Sequence, residues 1–463
     1  MDITLFGAAG EVTGSAYYVE TERARVLVDF GIFQGGRADE QRNRVPDGLD
    51  VGALDAVVLT HAHLDHSGRL PLLARAGYRQ PIYATPGTID IVGLLLRDSA
   101  RIQQDDAARE NRRRERAGLA PLPPPYTEED VERLLGLLEP LPYDAPLEVA
   151  PGVAVRAREA GHVLGSASLE LGAEEGRRRT AVVFSGDIGP RSVPILRDPE
   201  PPARADLVFL ESTYGDRDHR PLAETVAEFE KLVLEAVLNR GKILVPSFAV
   251  GRAQQLLYHL AELFERGAVP PFPVYLDSPM GIAATEIYLR HPELADDDPG
   301  AFESRRALRR ALETLSFTAS AAESRELNDM DGPCMIIAGS GMANAGRIVH
   351  HLRHNLWRRE AVVLIVGYQA EGTLGRQLAE GARQVSIFGD RIAVRAKVRT
   401  LGGFSAHAGQ SELLEWVRPM AEGGARVALT HGEARGRLPL AELIARRYGV
   451  EPELPELGDV IAV

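Results

Sequence analysis

The stretch Thr60-His61-Ala62-His63-Leu64-Asp65-His66 decides how this chain is read. Three imidazoles and one carboxylate follow directly on the apolar run that begins at Ala56. Imidazole nitrogen and carboxylate oxygen are the donors that a borderline cation such as zinc prefers. Alternate residues of an extended segment point to opposite sides until the backbone bends. His61 and His63 can therefore converge on one ion while Asp65 and His66 turn toward a second. The competing reading is a loop of solvent-exposed histidines.

Working outward, four more polar residues stand where apolar runs end. Asp29 closes Val26 to Val28, Asp187 closes Ala181 to Phe184, and His431 closes Val427 to Thr430. His162 follows Gly161 and precedes the small-residue run Gly165-Ser166-Ala167. Any one of them alone reads as a capped turn or a satisfied buried residue. Together with the histidine cluster they describe a metal centre gathered from several strand ends.

The chain around these points changes rhythm once. Short runs at Ile3 to Phe6, Ala16 to Glu20 and Arg25 to Asp29 read as an antiparallel meander, and Gly68 to Ala76 has helical spacing. A second strand set follows at Val153 to Ala157, Ala167 to Leu171, Thr180 to Ser185 and Asp206 to Leu210. After Glu211 helices and strands alternate. A helix with Val226, Phe229, Val233 and Val237 on one face ends at Gly241, and strands at Ile243 to Pro246, Val274 to Leu276, Met335 to Ala338 and Val362 to Val366 are interleaved with helices at Arg252 to Leu263 and Arg347 to Leu356. That alternation implies a parallel sheet with helices on its faces.

Several segments carry two readings. Residues 101 to 126 hold Arg112, Arg113, Arg114 and Arg116, then a Pro-rich stretch; they are a solvated helix face with acidic partners, or a nucleic-acid patch. Strict alternation from Arg391 to Arg399 sets Arg391, Arg395, Lys397 and Arg399 against Ile392, Val394, Ala396 and Val398. This is an RNA-facing strand or an ordinary solvated one. The turn at Gly339, Ser340 and Gly341, ahead of a helix from Gly346, offers backbone N–H groups to a phosphate or is an ordinary turn. His350, His351 and His354 on that helix read as structural or surface residues.

Composition bounds the rest. A chain of 463 residues exceeds what one core usually organises, so two domains are expected. No apolar run spans a bilayer and Met1 opens no signal segment, so no membrane partner and a cytoplasmic location are expected. The single cysteine, Cys334, forms no internal disulfide and sits in a buried-strand pattern. The net charge of −13 argues against indiscriminate nucleic-acid binding without excluding a local basic channel. Fifty arginines against three lysines look like a coding bias, which weakens any argument from arginine alone.

These motifs resemble the metallo-β-lactamase superfamily, and the rest of the chain resembles its β-CASP nuclease branch. The likeness is carried by the HAHLDH core, Gly7 to Ser15, Ser185-Gly186-Asp187, Glu211-Ser212-Thr213-Tyr214-Gly215-Asp216, Gly339-Ser340-Gly341-Met342 and Gly402 to His407. Within that branch the chain is similar to bacterial and archaeal ribonucleases related to the endonuclease subunit of the eukaryotic mRNA cleavage and polyadenylation machinery. The resemblance implies an α/β fold: an αββα sandwich from residues 1–210 and 394–463, with a parallel-sheet α/β (β-CASP) domain at 211–393 inserted. It implies two zinc ions, one on His61, His63 and His162, the other on Asp65, His66 and His431, with Asp187 bridging and Asp29 behind the ligands.

By the same resemblance Asp65 and Asp187 serve catalysis, and Glu211 orients His407, which protonates the leaving oxygen. His431 in place of an aliphatic residue favours RNA over DNA. The implied activity is metal-assisted hydrolysis of single-stranded RNA, endonucleolytic or also 5′–3′ exonucleolytic, in RNA processing or decay. Ser405, Gly339, Ser340, Arg395 and Lys397 are the candidate substrate contacts, and a homodimer is a candidate assembly. Residue 3 already begins the catalytic fold, so an N-terminal KH domain of the archaeal kind is not expected, nor is the extra C-terminal domain of ribonuclease J. The alternatives are a DNA nuclease, a thioester or lactam hydrolase, and a non-catalytic scaffold. The ~180-residue α/β insertion argues against the small-molecule hydrolase.

Overall fold

The computed structural model describes residues 1–35, 37–291, 315–367, 369 and 372–463. The chain divides into two compact units. The first comprises Met1–Arg191, Asp198–Asp218 and His407–Val463; the second comprises Ser192–Arg197 and His219–Ala406.

Two sheets make the first unit. One runs in the order β21-β1-β2-β3-β4-β5-β6, with β1 Asp2–Gly7, β2 Ala16–Glu20, β3 Arg25–Val28, β4 Ala56–Val58, β5 Ile82–Ala84, β6 Leu138–Pro140 and β21 Val460–Ala462. The other runs β20-β11-β10-β9-β8-β7, with β7 Leu147–Ala150, β8 Val153–Glu159, β9 Ala167–Glu175, β10 Arg178–Phe184, β11 Leu207–Glu211 and β20 Arg426–Thr430. Alternation along the strands aims Ile3, Leu5, Val19, Val26 and Val28 of one sheet at Val155, Ala157, Leu169, Leu171 and Val182 of the other, in one shared core. Each such aliphatic chain removed from water contributes about 1.5–3 kcal/mol. The Tyr17 ring lies tilted against Phe184 and Phe209, at 5.0 and 5.1 Å between centroids, and its hydroxyl meets Thr430 Oγ at 2.9 Å, tying the sheets together one residue before His431.

Residues of the second sheet that point the other way, among them Val183, Val208, Leu210, Val427 and Leu429, are covered by helices Gln410–Glu422 and Ala434–Tyr448 through Leu413, Trp416, Val417, Leu440 and Ile444. Helix Pro86–Arg116 starts at a Thr85 cap and buries Ile91, Val92, Leu95 and Leu96 in its first half. Its second half is largely exposed, and Arg101, Arg109 and Arg113 each pair with an acid three residues earlier. Of the four arginines at 112–116, Arg113 lies 3.7 Å from Glu110 and Arg114 donates to the Ala120 carbonyl.

The second unit holds a parallel sheet in the order β14-β13-β15-β12-β16-β19, with β12 Lys242–Pro246, β13 Val274–Leu276, β14 Leu315–Phe317, β15 Cys334–Ala338, β16 Val362–Ile365 and β19 Lys397–Thr400. The central strands β12, β15 and β16 are buried along their length, as a covered parallel sheet requires, whereas the edge strands β14 and β19 are largely exposed. Ile243, Val245, Met335 and Ile337 join one core, while Leu244, Cys334, Ile336 and Ala338 join the other.

The alternating run from Arg391 to Arg399 is not one strand. β18 Asp390–Ala393 pairs with β17 Gln384–Ile387 in a separate hairpin, and the chain then crosses to β19 in the main sheet. The backbone N–H groups of Arg395 and Ala396 both donate to the Leu356 carbonyl at that crossing. A single basic face over 391–399 therefore does not form. The main junctions between units fall at Asp218/His219 and Ala406/His407, later than residues 210 and 393, and the short segment Ser192–Arg197 also groups with the second unit. Ser411 binds Asp218 within the first unit, and β19 belongs to the second unit's sheet. Among the described residues no helix is long and apolar enough to cross a membrane.

Candidate metal centre

Every ligand candidate lies just beyond the C-terminal end of a strand of the first unit. β10, β11 and β20 are parallel neighbours, so Asp187, Glu211 and His431 leave the sheet side by side. β4 delivers the His61 to His66 loop, and β8 leads to His162. The loop is stitched down by backbone bonds from Ser15 to Asp65, Phe30 to His66 and Ile32 to Leu64. Gly31 must be glycine there, because a Cβ would sit 1.5 Å from the Asp65 carbonyl oxygen. Gly186, at φ +56°, turns the chain so that Asp187 enters the site. The opening glycine-rich segment braces the far side: Ala8 accepts from the His431 N–H at 2.7 Å.

The two oxygens of Asp187 face different groups. Oδ2 lies 3.5 Å from both His61 Nε2 and His162 Nε2, while Oδ1 lies 3.2 Å from His66 Nε2 and 3.5 Å from His431 Nε2. His63 Nδ1 stands 3.0 Å from His162 Nε2, and His431 Nε2 stands 3.6 Å from Asp65 Oδ2. Besides a group of Asp187 with Glu211 and His407, two donor sets result, His61, His63, His162 and Asp187 in one, Asp65, His66 and His431 in the other, each with its atoms within 4.8 Å of one another. His61 Nε2, Asp187 Oδ1 and His431 Nε2 are buried with no hydrogen-bond partner. Buried polar atoms of native proteins are rarely left so. A cation in each set would satisfy them, and the donors are those zinc takes. Burial pushes His61 and His63 below the ordinary imidazole range, toward the neutral form that offers a lone pair. Burial opposes the ionised form of Asp187 too, but His431, His66 and His61 outweigh it and hold the carboxyl well below its usual range.

Partners behind the ligands fix their orientation. Asp29 Oδ2 takes the His66 Nδ1 contact at 2.7 Å and the Thr60 hydroxyl at 2.8 Å, while Oδ1 accepts the Thr60 N–H. Thr60 Oγ is also 3.2 Å from His61 Nδ1, and Thr213 Oγ is 3.1 Å from His431 Nδ1. Neither threonine stands out from sequence pattern alone. Their signal was adjacency: Thr60 precedes His61, and Thr213 lies in the motif that begins at Glu211.

His407 sits beside this cluster. Its Nδ1 is 3.2 Å from both oxygens of buried Glu211, and its Nε2 is 3.9 Å from Asp187 Oδ2. Glu211 is held by the Ile188 N–H at 2.8 Å. Burial disfavours a charged imidazole, yet the carboxylates of Glu211, Asp187 and Asp65 lift His407 to about 9.

The other candidates belong to the second unit. The Ser340 N–H donates to the Ala345 carbonyl inside its own turn, so this group is not offered outward. Lys397 pairs with Glu235. Arg395 is exposed, and Gly339 and Ser405 lie at the ends of strands β15 and β19 or just beyond. His351 is buried against Asp277 and Asn328, whereas His350 and His354 are exposed.

A two-sheet sandwich with seven candidate metal donors at its strand ends and a parallel-sheet insertion before the last of them defines a β-CASP member of the metallo-β-lactamase superfamily, and the chain belongs to that family. Residues 9–235 match the metallo-beta-lactamase superfamily, residues 253–378 the Beta-Casp domain and residues 391–455 the Zn-dependent metallo-hydrolase RNA specificity domain. The chain is 42% identical to Ribonuclease TTHA0252 of Thermus thermophilus over 100% of both chains. It is 31% identical to Transcription termination factor FttA of Methanosarcina mazei over 97% of this chain and 69% of that one. A crystal structure of a protein of unknown function from Enterococcus faecalis superposes with a TM-score of 0.56 at 14% identity, covering 100% of this chain and 99% of the other, a likeness of fold.

Proposed function

We propose that this protein is a zinc-dependent ribonuclease that hydrolyses phosphodiester bonds of single-stranded RNA. The observation that carries the reading is the division of the Asp187 oxygens between two histidine sets, with the His407–Glu211 pair alongside. The names of its relatives, a ribonuclease and a transcription termination factor, support RNA as the substrate class. His61, His63 and His162 would hold one ion, Asp65, His66 and His431 the other, and Asp187 would touch both. When bound, such a pair supplies Lewis acidity, lowering the pKa of water toward 7 and offsetting charge at the phosphate.

The chain's own residues supply the proton. Glu211 engages His407 at Nδ1, which leaves Nε2, on the side of Asp187, as the atom that donates. A cationic His407 gives that proton to the departing 3′-oxygen, so the product carries a 5′-phosphate. Incubation with 5′-labelled single-stranded RNA tests this, with and without chelator, beside His407→Ala. Cleavage that chelator abolishes, with His407→Ala retaining its zinc but slowed about 10²–10⁴-fold, fits the reading. A wild-type protein that holds zinc and cuts single-stranded DNA but not RNA overturns the substrate.

A further inference from the structure

The second unit carries a cavity of about 190 Å³ whose charged lining is Arg240, Lys242, Arg358, Asp331 and Glu360. All strands of this sheet run parallel, so β12, β15 and β16 begin together, and the cavity lies where they begin. Ligands of α/β sheets ordinarily bind at the opposite, carboxyl ends. Nothing in the nuclease reading uses this place.

Lys242 is set deepest, Arg358 is half-buried and Arg240 is exposed. Lys242 is 3% exposed, and its Nζ donates to the carbonyls of Leu327 and Asn328 at 2.8 and 2.7 Å. Those bonds fix the ammonium and use two of its three hydrogens. Arg358 packs its guanidinium 5.3 Å over the ring of Trp357, and its Nε is buried with no partner. Arg240 comes in from the end of helix Leu222–Leu238 at φ +52°. Asp331 and Glu360 stand exposed at the rim. Among the described residues no carboxylate forms an ion pair with Arg240, Lys242 or Arg358. A buried ammonium with no carboxylate in ion-pair contact is costly, and an anion beside it would offset that cost.

We propose that this cavity binds a phosphate-type oxyanion, either inorganic phosphate or the phosphoryl end of a small nucleotide, between Lys242, Arg358 and Arg240. Arginine's planar fork matches two oxygens of such an ion, and the fixed ammonium takes a third.

Calorimetric titration of the intact protein at constant ionic strength tests the site, with inorganic phosphate, adenosine 5′-monophosphate and chloride as separate titrants. The expected result is saturable phosphate binding with a dissociation constant below about 1 mM and no response to chloride. Arg358→Gln and Lys242→Met weaken it by about tenfold or more, and RNA cleavage by the Arg358→Gln protein is unchanged. Tighter binding of the nucleotide assigns the phosphoryl end of a nucleotide as the ligand; equal binding assigns the free ion. His63→Ala, which disrupts the metal centre, leaves the binding in place. Should Lys242→Met fail to fold, Arg240→Ala takes its part. Absence of saturable binding, or variants of this cavity that bind as wild type does, overturns the proposal.

Discussion

Each unit buries a carboxylate among imidazoles and hydroxyls at a strand end, but Asp187 and Asp277 are treated differently. Asp277, just past β13, is saturated: its Oδ1 accepts Thr318 Oγ and Arg347, the latter at 2.6 Å, and its Oδ2 meets Ser324 Oγ at 2.6 Å and His351 Nε2 at 2.7 Å. Asp187 has an oxygen with no hydrogen bond and two neighbouring imidazole nitrogens in the same condition. Both sites pay desolvation, and only one recovers it from protein donors. The saturated cluster is a staple of the inserted fold; the unsaturated one keeps buried donor atoms that a cation would satisfy.

Breaking each cluster should therefore have opposite signatures. His63→Ala is expected to lose bound metal and at least ~10³-fold in RNA cleavage, since several kcal/mol of charge stabilisation go with the ion, while the urea midpoint of the second unit stays put. Asp277→Ala should do the reverse, costing about 3 kcal/mol in urea unfolding with zinc content intact, because Arg347 and His351 lose their shared acceptor. Glu211→Gln is expected to keep both metals yet slow cleavage about 10²-fold, by removing the charge that keeps His407 cationic. Thr213→Val, which removes the hydroxyl beside His431 Nδ1, should weaken metal affinity about tenfold as judged by competition with a chromophoric chelator.

Acid sharpens the same contrast. Burial alone would raise the Asp277 carboxyl, but His351, Ser324, Thr318 and Arg347 bring it down to about 2. A depressed folded-state value means that the stabilisation is complete above the ordinary carboxylate range and is lost as pH falls through it toward 2. The stability gap between wild type and Asp277→Asn should be widest at neutral pH and narrow below pH ~4.

The clustering of the candidate donors was legible in sequence because they end apolar strands, and strand ends can be read from where hydrophobic runs stop. The α/β insertion was legible from its alternation of period, and Cys334 from its apolar neighbours. The Asp277 staple was not, since its members are 41 to 74 residues apart and none stands in a repeated pattern. Thr60 and Thr213 were missed because a threonine's role depends on which nitrogen it faces. The run at 391–399 misled for a physical reason: polar alternation marks any half-exposed strand, and it carried across a crossover between two sheets without a break in pattern.

Metal content of the wild-type chain and Asp187→Ala, measured side by side on dialysed protein, tests the central claim most directly. Two zinc ions per wild-type chain, falling below one in the variant with the fold retained by circular dichroism, is the outcome expected if one carboxylate serves both donor sets. A wild-type chain that binds no zinc, or an Asp187→Ala chain that still holds two, contradicts it.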